Sequence, residues 1–321
     1  MFEKLKSIIE AHDSIVIFGH PNPDGDCYGS QLALREGIKL NYPDKKVYAV
    51  GTGLRRFRKS LGAMDVIDDS VISNSLAILV DGNDLSRMED QRVWNAKAWI
   101  KIDHHVENGR FNEGEFVLDE DANSTCSLIT QMFLESGWKI NSHIADLLYL
   151  GIFTDSGRFQ YIEDFVGAFK EAAWLCENGA NPKPIYSCLN RTSEMSLIFK
   201  GYVYSHYKKT QHGVIYLELD KKTIARFKLT AATAGNMVNL LGNIEGYPVW
   251  CFITETQEGY SHIEFRSNGP EVQSLAASIG GGGHRFAAGV TLPEFDDNTT
   301  KMVIDLCDKA VIEWREQGGE Q

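Results

Sequence analysis

What most constrains this chain is a set of short apolar runs that each end abruptly in Asp or His. SIVIF (14–18) runs into GHPNPDGD, SLAILV (75–80) into DGND, and AWIKI (98–102) into DHH. A fourth apolar segment, LLYLGIF (147–153), runs into TDSGRF, and a further strand-like run, KVYAV, covers 46–50. Runs this short and rich in Val and Ile, bounded by turn residues and separated by helical patterns, predict parallel βαβ units buried on both faces. In open parallel sheets, ligands bind beyond the carboxyl ends of the strands. Three of the four clusters therefore fall on one edge of a sheet although they lie far apart in the chain.

The rest of the sequence changes character twice. From about 124 to 206 it reads as helical: STCSLITQMFLESG opens with Ser/Thr at a capping position, and Gly137 and Gly179 read as helix stops. After about 206, GVIYLELD, YPVWCFITET and GYSHIEFRSN read as strands, NGPEVQSLAASI as a helix, and a closing helix lies near 297–317. A length of 321 residues exceeds the usual single domain. The pattern predicts an α/β protein with a parallel-sheet N-terminal domain (1–189), a linker or connecting helix (190–206), and a smaller mixed α/β C-terminal domain (207–321). The active site is expected in the cleft between the two.

Charge and cysteine usage narrow the function. With 32 Lys+Arg against 44 Asp+Glu, the formal charge is −12. A protein that grips long duplex nucleic acid through its phosphates normally presents a basic surface, so that role is disfavoured. Small phosphorylated substrates remain open, because bound metal ions supply positive charge locally. Six scattered cysteines (27, 126, 176, 188, 251, 307) form no CxxC pair and suit a reducing compartment. The N-terminus has no signal-type apolar core and no run reaches the length of a membrane span. The expectation is a cytoplasmic protein with no membrane partner.

The four clusters supply His20, Asp24, Asp26, Asp81, Asp103, His104, His105 and Asp155. Each has an ordinary explanation by itself, since an Asp after a strand usually caps a helix or forms a turn. Their coincidence favours metal ligation. Carboxylates with imidazoles and no thiolates suit Mn²⁺, and also Mg²⁺, Fe²⁺ or Zn²⁺. Even six ligands out of these eight are too many for one ion and suit two ions sharing a carboxylate, an arrangement that clamps a phosphoryl group and activates water. Cys27, beside Asp26, reads as a packing residue.

In order and spacing these motifs resemble the DHH phosphoesterase family, in particular its standalone nanoRNase/pAp phosphatase type. GHPNPDGDCYGS, VDGND, IDHHVEN and GIFTDSGRF resemble the four motifs of its catalytic domain, and FRSN (265–268) with GGGGHRFAAG (280–289) resembles the DHH-associated C-terminal domain. The resemblance implies two Mn²⁺-type ions, one held by His20, Asp24 and Asp81, the other by Asp26, Asp81, His104 and Asp155, with Asp81 bridging. It further implies that Asp103 orients His104 through its other ring nitrogen, that His105 faces the scissile phosphate, and that no side chain attacks phosphorus. Arg266, Ser267, Asn268, Gly282, Gly283 and His284 would bind substrate, the glycines as an anion-binding nest of backbone amides. The implied reaction is hydrolysis of short RNA or DNA oligonucleotides to mononucleotides, with removal of the 3′-phosphate of 3′-phosphoadenosine 5′-phosphate. A substrate of about two to five nucleotides carries few phosphates for the protein to neutralise, which suits an acidic chain. The alternative is a cyclic di-AMP or pApA phosphodiesterase. Relatives of this type are often homodimers, though nothing in this chain demands it.

Overall fold

A computed structural model describes residues 2–82, 88–105, 115–162 and 164–319, apart from the side chains of 115–117 and 284. The chain divides into two compact units, Met1–Arg191 and Thr192–Gln321. Among the described residues, no helix is long and apolar enough to cross a membrane.

The first unit is built on a five-stranded sheet of β1 (Ser14–Phe18), β2 (Lys46–Ala49), β3 (Leu76–Val80), β4 (Ala98–Asp103) and β5 (Glu115–Leu118), in the order β2-β1-β3-β4-β5. Every pairing is parallel. β3 is buried at all five positions because both of its faces are covered. Ile15, Ile17, Ile78 and Val80 pack into one cluster, while Val16, Phe18, Ala77 and Leu79 pack into another. That double burial is why these strands read as unbroken apolar runs. β5 escaped the sequence reading, since a four-residue EFVL carries too little pattern. The strand order reverses between β1 and β3, so the crevice for a ligand opens beyond their carboxyl ends.

Two helices close this crevice. Gly25–Asn41 starts directly after the β1 loop, with Asp24 at its N-cap accepting from the amides of Asp26 and Cys27. Ser142–Asp155 packs against it with almost no gap, and small residues make that possible. A Cβ on Gly29 would stand 2.5 Å from the Leu147 carbonyl oxygen. One on Gly151 would stand 2.2 Å from Cys126 Sγ and 2.8 Å from Asp26 Oδ1. This close approach brings Asp26, in the first turn of one helix, to the end of the other, where Asp155 sits. The proline-bearing segment after it forms the helix Pro182–Asn190, which buries Ile185 in the first unit's core.

The second unit carries a six-stranded mixed sheet of β6 (Lys208–Lys209), β7 (Val214–Leu219), β8 (Val249–Glu255), β9 (Ser261–Ser267), β10 (Gly282–His284) and β11 (Ala287–Leu292). The order is β10-β11-β9-β8-β7-β6, with β7 and β8 parallel and the other pairs antiparallel. Helix Asp297–Glu316 covers one face through Val303, Cys307 and Val311. The other face packs Leu217 and Phe252 against Phe199 and Val203 of helix Glu194–His206, which thus belongs to this unit's core.

The helix contact generates a test. Gly151→Ala forces a methyl into Cys126 and Asp26 and should lower stability by about 1–3 kcal/mol, as overpacking does. A shift of the urea midpoint at unchanged slope would report it.

Candidate metal centre

β1, β3 and β4 deliver their acidic and imidazole residues to the same sheet edge, and the helix contact adds Asp26 and Asp155. Asp81 stands at the centre. It follows β3 with a φ of +54°, a left-handed conformation that costs a non-glycine residue about 1–3 kcal/mol and that Asp tolerates better than most. The Asp81 amide donates to the Ile102 carbonyl, 3.2 Å away, which ties this turn to β4. Its carboxylate is almost fully buried, and its two oxygens face different imidazoles. Oδ2 lies 3.5 Å from His20 Nε2. Oδ1 lies 3.8 Å from His104 Nε2 and 3.5 Å from His105 Nδ1.

His104 shows what the site lacks. Its Nδ1 lies 3.2 Å from the Ala122 carbonyl oxygen, which fixes Nδ1 as the donor and leaves a lone pair on Nε2. Burial, then the neighbouring His105, holds its pKa below the usual imidazole value, so it is neutral at pH 7. That Nε2 is buried with no hydrogen-bond partner. It faces Asp155 Oδ2 at 3.4 Å, Asp81 Oδ1 at 3.8 Å and Asp26 Oδ2 at 4.0 Å. A lone pair aimed at three carboxylates is repulsive unless a cation lies among them.

The carboxylates report the same imbalance. Asp26 accepts from the amides of Thr125 (2.8 Å) and Cys126 (2.9 Å) at the start of helix Thr125–Glu135. Even so, burial followed by the charges of Asp81 and Asp155 drives its pKa well above the usual carboxylate range. Asp155 is pushed up to about 7, by burial first and then by Asp81 and Asp24. His20 is raised to about 11, chiefly by Asp81 and then by Cys27. The cluster gathers negative charge in a buried place, and each shift favours a cation or a proton among the carboxylates. Donors bound to one divalent ion at about 2.0–2.2 Å stand about 3–4 Å apart. The separations above match, so these residues fit a divalent cation. Donor atoms within 4.8 Å of one another form three groups: His20, Cys27 and Asp81; Asp81, His104 and His105; Asp26, His104 and Asp155.

Asp24 Oδ1 accepts from the Asp26 amide (2.9 Å) and the Cys27 amide (3.0 Å) and so caps the helix, which leaves its other carboxylate oxygen unengaged by the cap. One sequence expectation changes here. Asp103 does not orient His104, which the Ala122 carbonyl holds instead. Asp103 Oδ1 lies 2.8 Å from His105 Nδ1 and also accepts from the His104 and His105 amides. The chain turns at the end of β4 so that the second histidine folds back over the aspartate. The Cys27 sulfur is buried beside His20, within 4.8 Å of its donor atom and that of Asp81.

Sequence reasoning also missed Lys101. It is fully buried in β4, and its Nζ lies 3.1 Å from Asp103 Oδ2. Lys101, Asp103 and His105 thus form one chain of contacts. Burial pushes the Asp103 pKa up, but its hydrogen bond to His105 and the charges of His105 and Lys101 outweigh that and hold it below the ordinary value. Asp103 in turn raises the pKa of His105. The signal was a lysine inside an otherwise apolar strand, where a charge survives only with a partner.

In the second unit, β9 alternates buried and half-buried positions. His262, Glu264 and Arg266 share the open face, while Ser267 turns to the buried one, since successive strand residues point to opposite sides. Ser267 Oγ accepts from the Gly269 amide at 2.9 Å, and Asn268 Nδ2 lies 3.3 Å from Asn243 Oδ1, so both have partners in and near the turn after β9. Arg266 Nη1 donates to Glu264 Oε2 at 2.9 Å, and His262 Nε2 lies 3.2 Å from Glu264 Oε1. Glu264 and His262 were overlooked, though their spacing of two from Arg266 was visible in HIEFR. The glycine run is not one continuous nest: Gly282 and Gly283 lie in β10, an edge strand paired with β11. In register, His284 pairs with Ala287 and Ala287 with Arg266. The His284 side chain lies outside the described residues.

The buried ion pair generates a test. Lys101→Met leaves Asp103 buried without its cation and should destabilise the chain by about 3–5 kcal/mol. Lys101→Met with Asp103→Asn should recover part of that loss in urea unfolding.

Comparison with known proteins agrees with this geometry. The DHH family, N-terminal domain, matches residues 14–152, and the DHHA1 domain matches 211–313. The bifunctional oligoribonuclease and PAP phosphatase NrnA of Mycoplasma genitalium is 38% identical over 308 residues, covering 95% of this chain and 96% of that protein. Its namesake in Bacillus subtilis is 31% identical, covering 95% of this chain and 97% of that protein. The crystal structure of an exopolyphosphatase-related protein from Bacteroides fragilis superposes with a TM-score of 0.84 at 25% identity, covering 98% of this chain and 96% of that one. With a parallel-sheet unit whose crevice gathers His20, Asp26, Asp81, His104 and Asp155, and a DHHA1 domain following it in sequence, the chain belongs to the DHH family.

Proposed function

We propose that this chain is a two-metal phosphodiesterase that hydrolyses very short oligonucleotides to mononucleotides and also removes the 3′-phosphate of 3′-phosphoadenosine 5′-phosphate, with Mn²⁺ at both metal positions. The observation that carries this reading is the Asp81 carboxylate, whose Oδ2 faces His20 and whose Oδ1 faces His104. One carboxylate presented in two directions suits two adjacent ions, and the activities named for the relatives suit the substrates.

When bound, the ions would polarise the phosphoryl oxygen and make water acidic enough to attack at neutral pH. The chain's own residues do the rest. Asp26, Asp81, His104 and Asp155 would hold one position, and His20, Asp24 and Asp81 the other. The Ala122 carbonyl keeps His104 Nε2 aimed inward. His105 has a side chain 40% exposed, and its hydrogen bond to Asp103 raises its pKa above the usual imidazole value. That favours a protonated ring where a phosphate or a departing ribose oxygen needs a donor. Asp103, anchored by Lys101, keeps that ring in place. In the second unit Arg266, steadied by Glu264, would bind the substrate's terminal phosphate as a charge-assisted donor.

Initial rates with Mn²⁺ on di- to pentanucleotide RNA, pApA, cyclic di-AMP, 3′-phosphoadenosine 5′-phosphate and pyrophosphate test the substrate class. Fast release of mononucleotides from di- and trinucleotides, with pyrophosphate and the cyclic compound inert, is expected. Preferred turnover of cyclic di-AMP or pApA would overturn the nanoRNA reading. Asp81→Ala should lower bound manganese and reduce kcat by more than the about 10²–10³-fold that loss of one oxyanion donor costs. Arg266→Ala should leave metal content unchanged and lower kcat/KM for dinucleotides by about 10- to 150-fold, the worth of one charged hydrogen bond.

A further inference from the structure

In a chain whose formal charge is −12, the segment 45–64 holds no acidic residue and six cations: Lys45, Lys46, Arg55, Arg56, Arg58 and Lys59. The last four fall in the short helical turn that follows β2. Its backbone is helical, with the Arg58 amide donating to the Leu54 carbonyl at 3.1 Å and the Leu61 amide to the Phe57 carbonyl at 2.8 Å. Phe57 and Leu61 are buried in the first unit's core, so positions 55, 58 and 59, which share a face at spacings of three and four, turn outward. Arg55, Arg58 and Lys59 are exposed, and among the described residues none of their side chains makes a hydrogen bond or ion pair. Arg56 differs, because its Nη1 donates to the Leu189 carbonyl at 3.3 Å. Like charges three and four residues apart repel one another, so the fold gains nothing from grouping these three.

The cations border the metal centre. β2 runs parallel to β1, so both strands end at the same edge, where the Val50 amide donates to the Ile17 carbonyl at 3.0 Å. Glu89 ties the two following loops together: its amide donates to the Gly19 carbonyl at 2.9 Å, and its Oε2 accepts from the Thr52 amide at 2.9 Å. The chain then passes over the start of helix Gly25–Asn41, where Tyr28, one turn beyond Asp24, donates its hydroxyl to the Gly62 carbonyl at 2.7 Å. We propose that Arg55, Arg58 and Lys59 form an accessory phosphate-binding surface, which takes the backbone phosphates of an oligonucleotide beyond the one being cleaved. Guanidinium and ammonium groups are the donors that suit phosphate oxygens. The rim of the crevice is where a substrate's trailing phosphates emerge. An anionic membrane is the poorer fit, because Phe57 and Leu61 point inward and leave the turn no apolar side chain to insert. The surface rewards length: a dinucleotide with its one diester at the metals has no other to offer, whereas a pentanucleotide has three more. The inference rests on the phosphodiesterase reading and deepens it, by naming what holds the substrate away from the reacting bond.

The test measures kcat/KM on dinucleotide and pentanucleotide RNA with Mn²⁺, at several salt concentrations, for the full wild-type chain and for the triple variant Arg55→Gln, Arg58→Gln, Lys59→Gln. The ratio of pentanucleotide to dinucleotide kcat/KM should fall roughly 10-fold in the variant, as three exposed charge pairs worth about 2-fold each compound. The salt dependence on the pentanucleotide should flatten with it, because fewer counterions are released. The double variant Arg55→Lys, Arg58→Lys keeps the charges and should hold the ratio near that of the wild type. The same ratio and salt slope in wild type and triple variant would overturn the accessory surface and leave the phosphodiesterase standing. That result together with lost sedimentation on phosphatidylserine vesicles would assign the cations to a membrane. A wild-type chain that cleaves neither RNA would overturn both readings.

Discussion

The structure turns on a concentration of negative charge that its own residues do not neutralise. Asp26, Asp81 and Asp155 converge on an imidazole nitrogen that has no proton to offer them. Two of the three carboxylates are almost completely buried, where like charges are poorly screened. Such a cluster exists only if protons or cations hold it together, and the raised pKa values of Asp26 and Asp155 show the proton-bound form of that answer. A divalent ion answers it better, since it satisfies the carboxylates and the His104 lone pair together. From this follow the burial of the acidic residues, the fixed tautomer of His104, and the left-handed backbone at Asp81.

The scaffold converts remote parts of the chain into that cluster by two devices. The reversal of strand order between β1 and β3 opens a crevice at one edge of the sheet, and the turns after β1, β3 and β4 all empty into it. The glycine-mediated contact between helices Gly25–Asn41 and Ser142–Asp155 then closes it from above. Asp26 is steadied by the first amides of helix Thr125–Glu135. A carboxylate that already accepts two backbone bonds is held in position before any ion arrives, so the ordering cost is met by folding rather than by binding. Lys101 plays the same part beneath Asp103 and His105.

Much of this was legible in the sequence, for physical reasons. Strands β1, β3 and β4 announce themselves because double burial leaves no polar position to interrupt them, and the acidic residues follow them because parallel strands end at the ligand-binding edge. What spacing could not show was partner choice. Whether Asp103 reaches His104 or His105 depends on how the backbone turns after β4. The short β5 carried too little pattern to be seen. In the second unit the alternation of β9 already separates Arg266 from Ser267, and reading the motif as a block hid it. The conversion of Gly282–His284 into an edge strand is a product of pairing with β11, which local composition does not reveal.

The central claim is that Asp81 joins two ions into one centre. Electron paramagnetic resonance of the chain loaded with manganese to saturation measures this directly, because two Mn²⁺ ions sharing a carboxylate are magnetically coupled and two separate ions are not. The account predicts the spectrum of an exchange-coupled pair when manganese fills both positions, collapsing to that of isolated ions in Asp81→Ala. Isolated-ion spectra from the fully loaded wild-type chain would contradict it.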